Sequence, residues 1–351
     1  MADMSAESYA RTGHRPLPES DFYVWDGSLG EKALYRAPRE DYAGHVPDME
    51  QYKIVGLKFG TSTISHKNPG DTVKVLGCIA DEVRNLHERG VHVYIISSGA
   101  VDLGRRELGA YGDDLVRIQG IWGQSGRTGT DIKRLLSGIG QPRLMATYRQ
   151  CFRDHGITVA QSLVTSSDLM HDRTRRELMG KYLDYMSARV VPVINEDDLR
   201  SSEELSEGEG SLFSDNDGLF ARVSSYLAQE NGCSGTMYAG MLTDQAGIRP
   251  VSYFRGERTG RVDDEVIRVI VDPFNLKTQM FDGEPAGQAV GRGSAASKID
   301  AMETLAAAGI PGFVAHGGYH ERDTDANYYR PIAAAMKGLC VGTRFSAKEP
   351  V

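Results

Sequence analysis

Two lysines and a run of carboxylates and amides carry the chemistry available to this chain. Lys58 stands in Lys58-Phe-Gly-Thr-Ser62, and Lys298 closes Gly291-Arg-Gly-Ser-Ala-Ala-Ser-Lys298. Between them, Val191-Pro-Val-Ile-Asn-Glu-Asp-Asp198 turns abruptly from apolar to acidic. Phe213-Ser-Asp-Asn-Asp-Gly218 then opens a helical stretch. Carboxylates buried without partners are costly, so this group faces cations, amines or water. Ammonium groups beside such a cluster suit phosphoryl transfer, where spread negative charge needs stabilising.

Each motif has a plainer reading beside the chemical one. Gly60 lets the backbone approach an anion, and Lys58 adds a point charge there; a solvated lysine at a strand end has the same local sequence. The run lacks the spacing of a P-loop. Ser97-Ser-Gly-Ala-Val101 opens a helix after an apolar strand, where N–H groups and hydroxyls hold a carboxylate or phosphate, or where serine merely caps. Asn195, Glu196, Asp197, Asp198, Asp215, Asn216 and Asp217 bind Mg2+, orient lysines, grip an ammonium, or form a solvated loop. Met241-Leu-Thr-Asp244 ends a strand with polar groups suited to a nucleotide. The glycines before Lys298 leave N–H donors for phosphates, or form a connector.

Helix and strand periods alternate along the chain and place these residues at strand ends. Strands are expected at 53–58, 91–96, 157–164, 190–194, 236–242 and 312–315. Helices are expected at 71–89, within 132–155, and at 172–188, 218–230 and 294–308. Asp71 suits the N-cap of the first helix and Gly90 its stop. This alternation implies right-handed crossovers and a mainly parallel sheet. Two segments interrupt it: 201–212, read as a loop or short hairpin, and 246–293, read as a lid or small subsheet around one strand at 266–271. Residues 1–50 show no period but carry Tyr23, Trp25, Tyr35 and Tyr42, which suits an arm packed on the core or on a neighbouring subunit.

Composition narrows the classes. The chain has 351 residues, is 40% hydrophobic and carries a net charge of −8. A sequence pI near 5.7 argues against a nucleic-acid surface. No apolar run is long enough to span a bilayer, and Met1–Arg15 has no signal-type apolar core, so a cytoplasmic protein is expected. Cys78, Cys151, Cys233 and Cys340 lie far apart and read as reduced thiols.

Taken in order, Lys-x-Gly-Thr-Ser, Ser-Gly-Ala, Val-Pro-Val-Ile-Asn-Glu-x-Asp, Asp-Asn-Asp, Leu-Thr-Asp and a glycine-rich turn ending in Lys resemble the amino acid kinase family, and within it the glutamate 5-kinases. Ile139-Gly-Gln141, Gln161-Ser-Leu-Val-Thr165 and Gly338-Leu-Cys-Val-Gly-Thr343 add to the likeness. The resemblance implies a three-layer α/β/α sandwich around a mainly parallel sheet, with a kinase domain at 51–346, an amino-terminal extension at 1–50 and a tail at 347–351. It implies transfer of the ATP γ-phosphoryl group, with Mg2+, to the side-chain carboxylate of L-glutamate, as in proline biosynthesis. It also implies a homo-oligomer, dimer or tetramer, and a downstream reductase that takes the acyl phosphate. The family carries Gly-Thr-Gly-Gly-Met where this chain has Gly291-Arg-Gly-Ser-Ala295.

Carried over residue by residue, the resemblance assigns Lys58 and Lys298 to the transferring phosphoryl oxygens and Asp217 to holding both lysines. Gly60 and Gly99 offer backbone N–H groups. Ser98, Asp198 and Asn216 bind glutamate. Lys58, Thr243, Asp244, Arg292, Gly293, Ser297 and Lys298 meet the nucleotide. No histidine is assigned to catalysis. Another acidic amino acid, a phosphate or carbamate acceptor, and a binding protein without turnover remain as alternatives.

Overall fold

Apolar runs such as Ile54-Val-Gly-Leu-Lys-Phe59 are buried along their whole length, as the central strands of a doubly covered sheet must be. A computed structural model describes residues 21–27, 34–65, 69–109, 120–121, 123–124, 129–200, 215–249, 266–274, 276, 295–317, 330–339 and 341–347. In chain order these form β1 (Phe22–Trp25), β2 (Leu34–Ala37), β3 (Ile54–Phe59), α1 (Thr61–Ile64), α2 (Pro69–Glu88) and β4 (His92–Ile96). Next come α3 (Ala100–Gly109), α4 (Gly129–Arg153), β5 (Thr158–Val164), α5 (Ser166–Met170), α6 (Asp172–Ser187) and β6 (Val190–Glu196). The chain continues through α7 (Asn216–Asn231), β7 (Met237–Thr243), β8 (Ile267–Ile270), α8 (Ala295–Ala307), β9 (Gly312–His316), α9 (Pro331–Ala335) and β10 (Thr343–Phe345).

The strands make one ten-stranded sheet in the order β2-β1-β8-β10-β9-β7-β3-β4-β6-β5. All neighbours are parallel except β1 with β2 and β10 with β9. On one face, Leu76, Ile79 and Val83 of α2 pack with Leu144 and Tyr148 of α4 and with α9. On the other, α6, α7 and α8 supply Met179, Tyr182, Phe220, Val223, Ile299 and Met302. The three-layer α/β/α sandwich is therefore the fold.

Alternation in β3 sends Leu57 into the first core, leaving Lys58 to the opposite face with Gly56. A Cβ on Gly56 would stand 2.3 Å from the Tyr94 hydroxyl, so glycine there lets α7 and the sheet close together. Across the sheet, α3 and α4 touch backbone to backbone. A Cβ on Gly140 would lie 1.9 Å from the Ala100 carbonyl, and one on Gly104 would lie 1.9 Å from that of Leu136. This contact fixes where α4 lies over the ends of β4 and β6.

Three expectations change. The first helix starts at Pro69, so Asp71 lies inside its first turn rather than at the N-cap, while Gly90 (φ +75°) ends it as expected. The strand foreseen at 266–271 belongs to no lid or subsheet: β8 sits in the main sheet between β1 and β10. The amino-terminal segment supplies β1 and β2 to the same sheet, and Phe22, Val24 and Tyr42 form a small core with Val269. The loop foreseen at 201–212 lies outside the described residues. No described helix is long and apolar enough to cross a membrane.

Candidate active site

β3 is the point from which the chain winds both ways: β4 follows on one side and β7 lies on the other. In open α/β sheets, ligands bind in the crevice at the carboxyl ends of strands beside such a reversal. Lys58 lies near the end of β3, in register with Ile96 of β4 and Met241 of β7. Its ammonium reaches Asp217 Oδ1, and both side chains are almost fully buried. Asp215 makes this possible from below, because its carboxylate accepts from the Gly218 N–H at 2.9 Å and caps α7. Asp217 then sits in the first turn, where the helix dipole favours negative charge.

Lys298, buried in the first turn of α8, stands 3.6 Å from Asp217 Oδ2. Ser297 donates to the same oxygen at 2.9 Å. Burial alone would raise the Asp217 carboxyl; the two ammonium groups, Lys58 first, hold it below the usual carboxylate value. Lys298 is lowered from the usual lysine value, chiefly by burial and also by Lys58, against the pull of Asp217 and Asp244. One carboxylate thus gathers two cations and leaves a net positive centre facing the crevice.

The neighbouring turns complete the phosphate side. At Gly60 the N–H donates to the Leu242 carbonyl at 2.9 Å, so it is not the free donor expected from the sequence. The N–H groups that follow, of Thr61 and Ser62, open α1 and lack intrahelical partners. Gly99 has φ +102°, a region glycine tolerates, and its missing Cβ faces Ser65 and Ile64. No hydrogen bond of its N–H forms among the described residues. Thr243 Oγ1 donates to Asp244 Oδ1 at 2.9 Å and accepts from the Gln245 N–H. Ser297, foreseen on the nucleotide, turns its hydroxyl to Asp217. Arg292 and Gly293 lie outside the described residues.

Neutral groups dominate the other side. The Asn216 amide nitrogen donates to the Ser98 hydroxyl at 2.7 Å and to the Ser97 carbonyl at 3.1 Å, while Asn216 Oδ1 is buried with no hydrogen-bond partner among the described residues. Ser98 Oγ accepts that bond, which leaves its own proton to give. Asp198 accepts from Ser137 Oγ at 2.5 Å. Ser137 is not among the residues expected from the sequence. Gln141, also on α4, accepts from the Asn195 amide nitrogen at 3.0 Å. The spacing 137/141 on a helix puts both on one face, and that was the available signal.

The described residues hold no group of three His, Cys, Asp or Glu able to bind a metal. The oxygens of Asp217 are spent on lysines. The site therefore fits a polyphosphate that brings its own divalent cation, the usual mode for Mg2+.

Comparison with known proteins agrees with the geometry. The model of the amino acid kinase family matches residues 53–316, and the chain belongs to that family. The fold and site define a phosphotransferase. A glutamate 5-kinase of Gloeobacter violaceus is 28% identical over 305 residues, covering 84% of this chain and 68% of that protein. Delta-1-pyrroline-5-carboxylate synthase B of Arabidopsis thaliana is 29% identical over 296 residues, 84% of this chain and 37% of the plant protein. A carbamate kinase from Giardia lamblia, solved with AMP-PNP, shares the fold with TM-score 0.53 at 13% identity, over 85% of this chain and all of that one.

Proposed function

We propose that the protein transfers the γ-phosphoryl group of ATP to the side-chain carboxylate of L-glutamate, giving γ-glutamyl phosphate and ADP. The observation that carries this is the convergence of Lys58 and Lys298 on Asp217, with the adjoining Asn216 bonded to Ser98. The likeness to glutamate 5-kinases supports the choice of acceptor.

A glutamate side chain is already ionised at neutral pH, so no general base is needed. One carboxylate oxygen attacks the γ-phosphorus, and the bond from that phosphorus to the β–γ bridging oxygen breaks. Lys58 and Lys298 stabilise charge on the equatorial oxygens, and Asp217 keeps them fixed through the reaction. Mg2+ carried on the nucleotide would share the phosphate charge. The Ser98 proton and Asn216 Oδ1 offer one donor and one acceptor to the amino acid, and Asp198 suits its α-ammonium. Thr243 and Asp244 lie beside the nucleotide side of the crevice.

Phosphate and carbamate acceptors would want basic partners near Asp198. The two arginines best placed in sequence point elsewhere: Arg173 is 90% exposed on Glu177, and Arg200 is 67% exposed near Asp197. Neither arginine, so placed, counts against an amino-acid acceptor. A binding protein without turnover would have no use for two buried lysines on one carboxylate. The product is an acyl phosphate, reactive to water, which suits hand-over to a reductase and a homo-oligomeric enzyme of the kind the resemblance implies.

An ADP-release assay with Mg·ATP across L-glutamate, L-aspartate and N-acetyl-L-glutamate tests the reading. L-Glutamate is expected to turn over fastest. Turnover with none of these acids would overturn it.

A further inference from the structure

Asn195 and Asn216 are held by backbone groups of fixed polarity. The Glu196 N–H donates to Asn195 Oδ1 at 3.0 Å, and the Ser97 carbonyl accepts from Asn216 Nδ2 at 3.1 Å. Those two contacts decide both amide orientations without reference to any ligand. The Asn195 nitrogen must then face Gln141, whose Oε1 accepts it at 3.0 Å. Asn195 Oδ1 also accepts from Asn216 Nδ2 at 3.4 Å. A chain of amides runs from α4 through β6 to α7, and it ends at Asn216 Oδ1, buried with no partner among the described residues, beside the Ser98 hydroxyl.

Gln141 is itself buried and follows Gly140, the residue whose missing Cβ lets α4 lie against α3. The close helix contact and the amide chain are therefore one construction. Without the Gln141 oxygen, the Asn195 nitrogen loses its partner in a buried site, and the side chain is held through its oxygen alone. A less firmly held Asn195 would weaken the longest of the three contacts that share the two Asn216 amide hydrogens.

We propose that Gln141 is a positioning residue for the amino-acid acceptor: through Asn195 it holds Asn216, and with it the Ser98 hydroxyl, in the geometry that receives the substrate. This rests on the proposed acid-acceptor reading. It predicts an effect on the acceptor and none on the nucleotide, because the lysine centre takes no bond from Gln141.

The test uses Gln141→Leu, similar in size but without the acceptor oxygen, alone and in an Asn195→Ala background. KM for L-glutamate and for ATP, kcat and thermal midpoint are measured for each. Gln141→Leu is expected to raise the glutamate KM about tenfold, the scale of one lost buried hydrogen bond, with the ATP KM within about twofold. In the Asn195→Ala background the same change is expected to add less than about twofold, because its route is gone. Additive effects, equal movement of both KM values, or an unchanged glutamate KM would each overturn the proposal. If Gln141→Leu folds poorly, Gln141→Met takes its place in the same cycle. Should wild-type enzyme turn over no acid, the functional reading fails by itself. The amide chain is then judged by the Asn195 side chain in crystals of Gln141→Leu, where an unmoved Asn195 contradicts it.

Discussion

The two sides of the crevice are built from different materials. The side proposed for phosphate is a buried cluster of full charges, Lys58, Asp217 and Lys298, each within reach of the next. The side proposed for the acceptor is a web of amides and hydroxyls, Gln141, Asn195, Asn216 and Ser98, together with Asp198. Full charges in a site shielded from water stabilise charge that develops during reaction. Neutral groups of fixed polarity select by matching donors to acceptors. The contrast teaches that damage to the first side should appear in kcat, and damage to the second in KM for the acid.

The largest break comes from the charged side. Lys58→Ala or Lys298→Ala should lower kcat by about 10²–10³, the usual cost of one preorganised stabiliser. Steady-state kinetics at saturating ATP and acid check this, and near wild-type kcat would contradict it. Asp217→Ala removes the shared anion and strands two buried ammonium groups. Losing one partner of a buried ion pair costs about 3–5 kcal/mol, which chemical denaturation should register beside the loss of turnover.

A second test sharpens the electrostatics. Transfer needs Lys298 protonated, and its ammonium is lowered by burial. kcat/KM for ATP, which reports the free enzyme, should therefore fall on the alkaline side at a pH below that of an ordinary lysine. Asp244 pulls the value up, so Asp244→Asn should move that limb to still lower pH. For stability both shifts act in the same direction, each in its own pH range: the folded protein gains as pH rises. The lowered Asp217 adds stability above the ordinary carboxylate value, and this is lost as pH falls through its folded value. Lowered Lys298 binds fewer protons folded than unfolded, so its contribution also improves as pH rises from its lowered folded value to that of an ordinary lysine.

Smaller effects mark the neutral side. Asp198→Asn keeps the Ser137 contact but removes the charge suited to an α-ammonium. The glutamate KM should rise about tenfold or more, the scale of a charge-assisted bond, with kcat changed far less. Gly140→Ala should destabilise by about 1–3 kcal/mol through overpacking at the α3–α4 contact, read as a lower denaturation midpoint. Arg173→Ala and Arg200→Ala, both solvent-facing, should leave all constants within about twofold, since exposed ion pairs contribute little.

The sequence made the central strands legible, because runs such as Val91–Ile96 and Val190–Ile194 are buried on both faces and end in polar turns. It also made Lys58, Asp217 and Lys298 legible as residues, though their meeting depends on crossovers bringing β3, α7 and α8 together. β1 and β2 leave little local signal: each is four residues long, β1 is a strand by pairing with β8, some 240 residues away in the chain, and β2 by pairing with β1. β8 was seen as a strand but not as part of the main sheet, since partner choice leaves no local mark. The Gly60 N–H was misread because its partner, the Leu242 carbonyl, lies on a distant strand. Gln141 stands in the Ile139-Gly-Gln141 stretch that adds to the family likeness, but Ser137 reads as an ordinary helix position, and only the close α3–α4 packing brings both to the site.

The most direct measurement traps the product. Wild-type enzyme and Lys298→Ala are each given Mg·ATP, L-glutamate and hydroxylamine, which captures acyl phosphates as hydroxamates. Hydroxamate forming with the native chain, and falling by at least about a hundredfold in the variant, is the predicted result. Equal hydroxamate from both proteins would contradict the account.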